Sequence, residues 1–372
     1  MRILFHLAHP AQYHMFKYAV RNLMQAGHII KVTINTKDIL EQLLIADGVQ
    51  YENILPKRRK HNTKIASLFT LFIKDFKLFV VQVKGNYDML IGTETALSHV
   101  GWLFRKPVLI MVEDDAFLIP EAARLSFPFA THIVSPVTCN LGKWESKKIS
   151  YKGFQKTAYL HPQYFTPNKE IVNQVIAKDE RYFMIRVSGL SAYHDIGSKG
   201  LTEAIVHKII GILSPLGKVL ISSERELPDD LKNYLFKTKV SNIHHFLYYS
   251  DLLITDSHSM CVESAILGTP SIRFSDYAGK VGILEELENK YGLTFGIPAS
   301  HQDKLMEKVQ DLLKIERLKE TWQTKRELML MEKIDVTAFW TWLIDGYPES
   351  ATVLRENPDF QDTFKCLYKN DK

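Results

Sequence analysis

Residues 255–272 read TDSHSMCVESAILGTPSI, and the fold turns on how this stretch is punctuated. An apolar run, Leu252-Leu253-Ile254, leads into it. Ser257 then stands where a helix N-cap belongs, because a hydroxyl there can accept an orphan backbone N–H. The segment that follows is mostly apolar, Gly268 ends it, and Pro270 opens another apolar run. The pattern is a buried strand, a helix and a second buried strand. The amides of His258, Ser259 and Met260 fall in the first turn, where no intrahelical acceptor exists. With the helix dipole they suit a phosphate or diphosphate. Glu263 follows Ser259 by four residues and shares its face, a position from which a carboxylate can accept hydrogen bonds from ribose hydroxyls.

The same alternation runs through the chain. Strands are expected at 2–7, 29–34, 88–91, 108–112 and 131–135, with helical patterns between them, among them 11–26 before Gly27 and 37–46 before Gly48. After a loop-like segment, 160–168, strands recur at 182–187, 218–222, 251–255 and 269–274, and the chain from Gln302 onward reads as helices. These patterns predict an α/β protein of two Rossmann-like, doubly wound parallel-sheet domains facing a cleft. The expected boundaries are 1–165 for an acceptor domain and 166–348 for a donor domain, with 349–372 as a tail. Ligands of such sheets bind at strand carboxyl ends, so the cleft is the expected site.

Composition narrows the class. The chain has 372 residues, too many for one ordinary core, and 46% of them are apolar against 24% charged. A formal charge of +5 gives no reason to invoke nucleic acid. Cys139, Cys261 and Cys366 are scattered singly, which suggests neither a zinc site nor a disulfide framework and fits a reducing compartment. The window 65–83 is the most apolar, but Lys74, Asp75 and Lys77 break it, so no membrane span is expected. The expected location is cytoplasmic, with peripheral contact at the inner face of the membrane as an extension of that reading.

Thr255-Asp256-Ser257, Glu263 and Leu267-Gly268-Thr269-Pro270 resemble the donor motif of the non-hydrolysing UDP-N-acetylglucosamine 2-epimerases, with His258 and Ser259 in place of two glycines. Those enzymes share the GT-B architecture with many glycosyltransferases. The resemblance implies that the backbone at His245 and Phe246 contacts a pyrimidine base. It sets His9 and His14 near the donor phosphates, and it matches Glu113 and Glu121 to catalytic carboxylates. Thr93 stands where that family has a catalytic aspartate, and the family's catalytic histidine aligns with Ser188-Gly189, which is not a histidine. In overall pattern the chain is similar to the domain-of-unknown-function family 354. The shared pieces are Ala8-His9-Pro10-Ala11-Gln12, Val112-Glu113-Asp114-Asp115, residues 158–162 and Ser222-Ser223-Glu224-Arg225. That likeness implies a GT-B enzyme of surface-polysaccharide or glycoconjugate synthesis.

Four residues are therefore candidates for acceptor deprotonation or orientation: His9, His14, Glu113 and Glu121. His6, inside the first strand, reads as a core histidine. Arg186, Ser188 and Ser191, at the end of the strand 182–187, are candidates for the diphosphate together with Ser257, His258 and Ser259. Lys199 opens the helix that follows. The acidic triplet 113–115 is not expected to hold a metal, and no cofactor is expected. The expected partners are a nucleotide-sugar donor, UDP-linked by the resemblance, and an acceptor that a lipid could carry. A homodimer is compatible with the reading. Lys57-Arg58-Arg59-Lys60, before the apolar helix, fits either a membrane contact or a basic loop beside a core helix. Three functions stay open: a glycosyltransferase, a UDP-sugar epimerase, and a nucleotide-sugar-binding protein without turnover.

Overall fold

The computed structural model describes residues 1–36, 39–55, 64–189 and 200–366. Ser191, Lys199 and the basic run 57–60 lie outside the described residues. The chain forms two compact units. One comprises Met1–Tyr159 and the segment that begins at Lys333, and the other comprises Leu160–Glu332.

The first unit alternates strand and helix: β1 (Arg2–Leu7), α1 (Pro10–Gln25), β2 (Ile29–Asn35), α2 (Leu40–Ala46), β3 (Glu52–Leu55), α3 (Lys64–Gly85), β4 (Met89–Gly92), α4 (Thr95–Leu103), β5 (Val108–Met111), α5 (Pro120–Ser126), β6 (His132–Pro136) and β7 (Lys148–Tyr151). Every pairing is parallel and the order is β3-β2-β1-β4-β5-β6-β7. Both faces of β1 are buried because both are covered. Ile3, Phe5 and Leu7 pack in one core and Leu4 in the other. Strand order reverses between β1 and β4, which makes their carboxyl ends the binding position of this topology.

The chain continues through α6 (Thr157–Leu160) and α7 (Lys169–Asn173) into the second sheet. That unit carries β8 (Tyr182–Val187), α8 (Glu203–Leu213), β9 (Lys218–Ser223), α9 (Ile243–Tyr249), β10 (Leu253–Thr255), α10 (His258–Leu267), β11 (Ser271–Phe274), α11 (Gly282–Glu285), β12 (Thr294–Ile297), α12 (Gln302–Leu313) and α13 (Leu318–Glu332). The order is β12-β11-β10-β8-β9, again all parallel. Here the reversal lies between β8 and β10. Thr202 caps α8 by accepting the Ile205 N–H, and Ile205, Val206, Ile209, Ile210 and Leu213 form its buried face.

The last helices, α14 (Val336–Asp345) and α15 (Glu349–Glu356), belong with the first sheet. Val336, Phe339, Trp340, Leu343 and Ile344 are fully buried in the core under β1 and α1. The Trp340 ring lies 5.9 Å from Phe16 and 5.7 Å from Tyr151. The expected division placed 333–348 with the second domain and the rest in a tail. The difference arises because the apolar stripe of α14 finds its partners far back in sequence, Phe16 among them at more than 300 residues' distance.

Candidate functional site

In the second unit the switch point is built around one carboxylate. Asp256 follows β10, is buried, and accepts three bonds from three places. Its Oδ1 takes the Ser188 amide at 2.7 Å, and its Oδ2 takes the Leu201 amide at 3.1 Å and the Arg225 guanidinium at 2.8 Å. Ser188 after β8, Leu201 before α8 and Arg225 after β9 are thus tied to the end of β10. Burial raises the pKa of Asp256, while the bonds from Ser188, Arg225 and Leu201 oppose the rise. Gly200 is needed there, because a Cβ would lie 2.5 Å from Oδ2. Arg225 also donates from Nε to the Ser188 carbonyl at 2.6 Å.

Arg186 donates to Ser222 Oγ at 2.7 Å and to Glu224, whose second oxygen accepts the Gly189 amide at 2.9 Å. Its charge is therefore matched by Glu224, where the sequence had offered it to a diphosphate. Ser257 is the N-cap of α10 and its Oγ accepts the Met260 N–H at 3.4 Å. That bond takes Met260 out of the three amides expected to face an anion. His258 sets Nε2 3.4 Å from Ser275 Oγ, with its ring edge-on to Tyr277, and Ser259 is exposed on the first turn. Glu263 is buried and its Oε2 lies 3.4 Å from Nε2 of His244, on α9.

His245 accepts the Asn168 amide on Nδ1 at 3.1 Å and packs on Phe165. Burial, and then the neighbouring His244, lower its pKa. Phe246 corrects an expectation. Its ring is core, 4.5 Å from Phe236, and its carbonyl already accepts Tyr182 Oη at 2.6 Å and the Ser250 amide at 3.0 Å. Both lone pairs of that oxygen are used, so it has nothing to offer a base.

In the first unit, His9 caps α1 ahead of Pro10, and its Nδ1 accepts the Ala11 amide at 3.2 Å. The neutral ring then carries its proton on Nε2, which makes that atom a donor. Gln12 spans the β1/β4 reversal: its Oε1 accepts the Ala8 amide at 2.6 Å and its Nε2 donates to Thr93. His14 stacks on Tyr159 at 5.4 Å. Glu113 is a second correction. Its Oε1 accepts the Gln155 amide at 2.6 Å and its Oε2 pairs with Lys156 Nζ at 2.7 Å, with both side chains buried. It ties the end of β5 to the 154–157 turn and is not a free base. Glu121 is exposed in the first turn of α5, where the helix dipole favours a carboxylate. Among the described residues, no three His, Cys, Asp or Glu side chains are grouped to hold a metal, and no helix is long and apolar enough to cross a membrane.

Sequence reasoning assigned no role to Asp256, Arg225, Gln12 or Lys156. Asp256 had a signal, an acid directly at the end of a buried strand. Lys156 had none, since it meets Glu113 across 43 residues.

Two doubly wound parallel-sheet units define a protein of the GT-B fold. Residues 70–290 match the family described as Protein of unknown function (DUF354), and the chain belongs to that family. No curated protein matches the sequence. Among solved structures, the chain is similar to the UDP-GlcNAc 2-epimerase from Neisseria meningitidis bound to UDP-GlcNAc. The identity is 14% and the TM-score 0.62, over 96% of this chain and 99% of that one. It is also similar to the UDP-GlcNAc 2-epimerase of Methanocaldococcus jannaschii in complex with UDP-GlcNAc and UDP, at 14% identity and TM-score 0.64, over 88% and 99% of the two chains. The spinosyn rhamnosyltransferase follows at 12% identity and TM-score 0.58, over 88% and 95%.

Proposed function

We propose that the protein is a glycosyltransferase that takes a nucleotide-sugar, with UDP as the nucleotide, in the synthesis of a surface polysaccharide or glycoconjugate. The observation that carries this reading is the Asp256 knot, which draws the ends of β8, β9 and β10 around the capped start of α10. In this reading the α10 first turn receives the diphosphate. Its amides and dipole stabilise the charge that grows on the departing nucleoside diphosphate. Glu263, oriented by His244, accepts the ribose hydroxyls, and the α9 start at His245 borders the base. The acceptor is taken by the first unit. There His9 donates from Nε2 to an oxygen, while His14 and Glu121 are the candidate bases.

An epimerase is less well supported, because Thr93 is no acid and Glu113 is held by Lys156. The test is a melting-temperature screen of nucleotides and nucleotide-sugars, followed by turnover. UDP is expected to raise the melting temperature, and Glu263→Gln to weaken UDP about tenfold or more, through loss of a charge-assisted hydrogen bond. Turnover should need an acceptor and survive EDTA. A sugar changed with no acceptor present would mean an epimerase. A protein that binds UDP yet turns over no donor with cell-derived acceptors would be a binding protein. A screen with no stabilising nucleotide would end the proposal.

A further inference from the structure

Helix α3 carries two apolar faces, and the fold uses only one. Leu78 and Val81 are buried against the sheet. On the other side Phe69, Phe72, Phe76, Phe79 and Val83 recur at three- and four-residue spacing and stand exposed, Phe72 at 68%. With Trp102 and Leu103 of α4, exposed at 62% and 58%, Phe72, Phe76 and Phe79 line an open groove of about 490 Å³. Soluble monomers seldom leave so many large apolar side chains together in water.

Charge says what covers them. On the far side of Phe76 the same helix borders a second groove, about 700 Å³, lined by Arg2, Lys31, Lys77 and Lys84 with Glu52. Lys31 pairs with Glu52 at 2.7 Å, which leaves Arg2, Lys77 and Lys84 in excess. The one carboxylate of the apolar groove, Asp75, is bonded to His99 at 3.1 Å. Lys57-Arg58-Arg59-Lys60 precede the helix in the sequence. An aromatic face flanked by cations is the arrangement that inserts rings at the acyl boundary and sets positive charge on lipid phosphates. A second copy of the chain fits less well, since a symmetric contact through this face would bring both lysine margins to one interface.

We propose that this face of α3 and α4 docks the protein on a membrane surface carrying anionic headgroups. The proposal does not depend on the sugar donor, because docking is read without one. Flotation of the full chain with vesicles of phosphatidylglycerol and phosphatidylcholine, beside pure phosphatidylcholine, tests it. Binding to the anionic vesicles is expected, falling with salt. Combined Lys77→Glu and Lys84→Glu should lower partitioning about 25-fold or more, at roughly fivefold for each cation lost. Combined Phe72→Ser, Phe76→Ser and Trp102→Ser should abolish it with an unchanged melting temperature. Should the aromatic variant not fold, the lysine variant decides alone, both lysines being exposed. Absence of vesicle binding, equal binding to neutral vesicles, or binding untouched by the lysine reversals would overturn the proposal. So would a solution dimer that the aromatic variant dissolves in a chain that ignores vesicles.

Discussion

The Ala11 amide, by pointing at Nδ1 of His9, fixes the proton on the opposite nitrogen. A ring held in that tautomer gives a hydrogen bond at Nε2 and cannot take a proton there. An asparagine can both cap a helix and donate, but it cannot act as a base. His9→Asn should therefore keep turnover within about tenfold of the parent, whereas His9→Ala should lose about a hundredfold or more, the range typical of a lost catalytic hydrogen-bond donor. Equal, deep losses in both variants would make His9 a base after all. His6, three residues earlier, is a different case. It is fully buried, its Nδ1 lies 3.0 Å from Thr33 Oγ1, and its Nε2 has no hydrogen-bond partner among the described residues. Burial lowers its pKa to about 4, with Glu94 opposing and Lys74 adding. The unfolded chain takes up this proton near pH 6.5, and the folded chain refuses it until about pH 4. The unfolded state binds more protons in that window, so stability falls as pH is lowered through it, by about 3 kcal/mol in all. Urea midpoints at neutral pH and at pH 4.5 should show a much smaller acid loss for His6→Gln than for the parent. The same slope in both would place the acid sensitivity elsewhere.

At the scale of elements, α10 is closed at both ends, and the two closures differ in how openly the sequence announces them. Ser257 and Gly268 are local signals, and the cap and stop they imply are where the pattern put them. Gly268 sits at φ 70°, a left-handed conformation that suits glycine. The second layer is not local. From α13, Gln323 Nε2 donates to the carbonyls of Leu267 at 2.9 Å and Gly268 at 3.0 Å, and Arg326 Nε donates to Ile266 at 2.6 Å. These donors lie more than 50 residues on and serve carbonyls that periodicity cannot see. The Glu113–Lys156 pair and the Phe246 carbonyl were hidden for the same reason. Strand and helix positions follow from apolar periodicity and punctuation, but the partner of a polar group is decided by tertiary contact. An alanine Cβ at 268 would meet Gln323 Nε2 at 2.6 Å and Arg326 Cδ at 2.8 Å, on a backbone it dislikes. Gly268→Ala should cost about 1–3 kcal/mol, seen as a lower denaturant midpoint, and loosen the α10 start that the proposed phosphate site uses. An unchanged midpoint would show that α13 gives way freely.

For the whole molecule, what matters is that the chain returns to its beginning. The strand–helix alternation was enough to predict two doubly wound units, because each strand is a short apolar run between turn signals. The owner of the last helices was not legible, since an apolar helical stripe names no partner. In the fold α14 is a structural member of the first unit: Phe339, Trp340, Leu343 and Ile344 are all fully buried, and Thr337 Oγ1 donates to the Ala158 carbonyl at 2.8 Å. Lys152 also binds Asp359 at 2.7 Å and Asp362 at 3.0 Å, close to the described end of the chain. Emptying a buried Phe or Trp position costs about 3–5 kcal/mol, and a domain holds only about 5–15 in reserve. Losing Phe339 and Trp340 together should therefore exhaust most of the first unit's stability while leaving the second unit's sheet untouched. A chain stopped after Glu332 should accordingly be cut rapidly by protease within residues 1–159, while a fragment near 160–332 persists and still responds to UDP. If residues 1–159 resisted proteolysis in that truncated chain as well as in the parent, α14 would be an accessory covering rather than part of the first core.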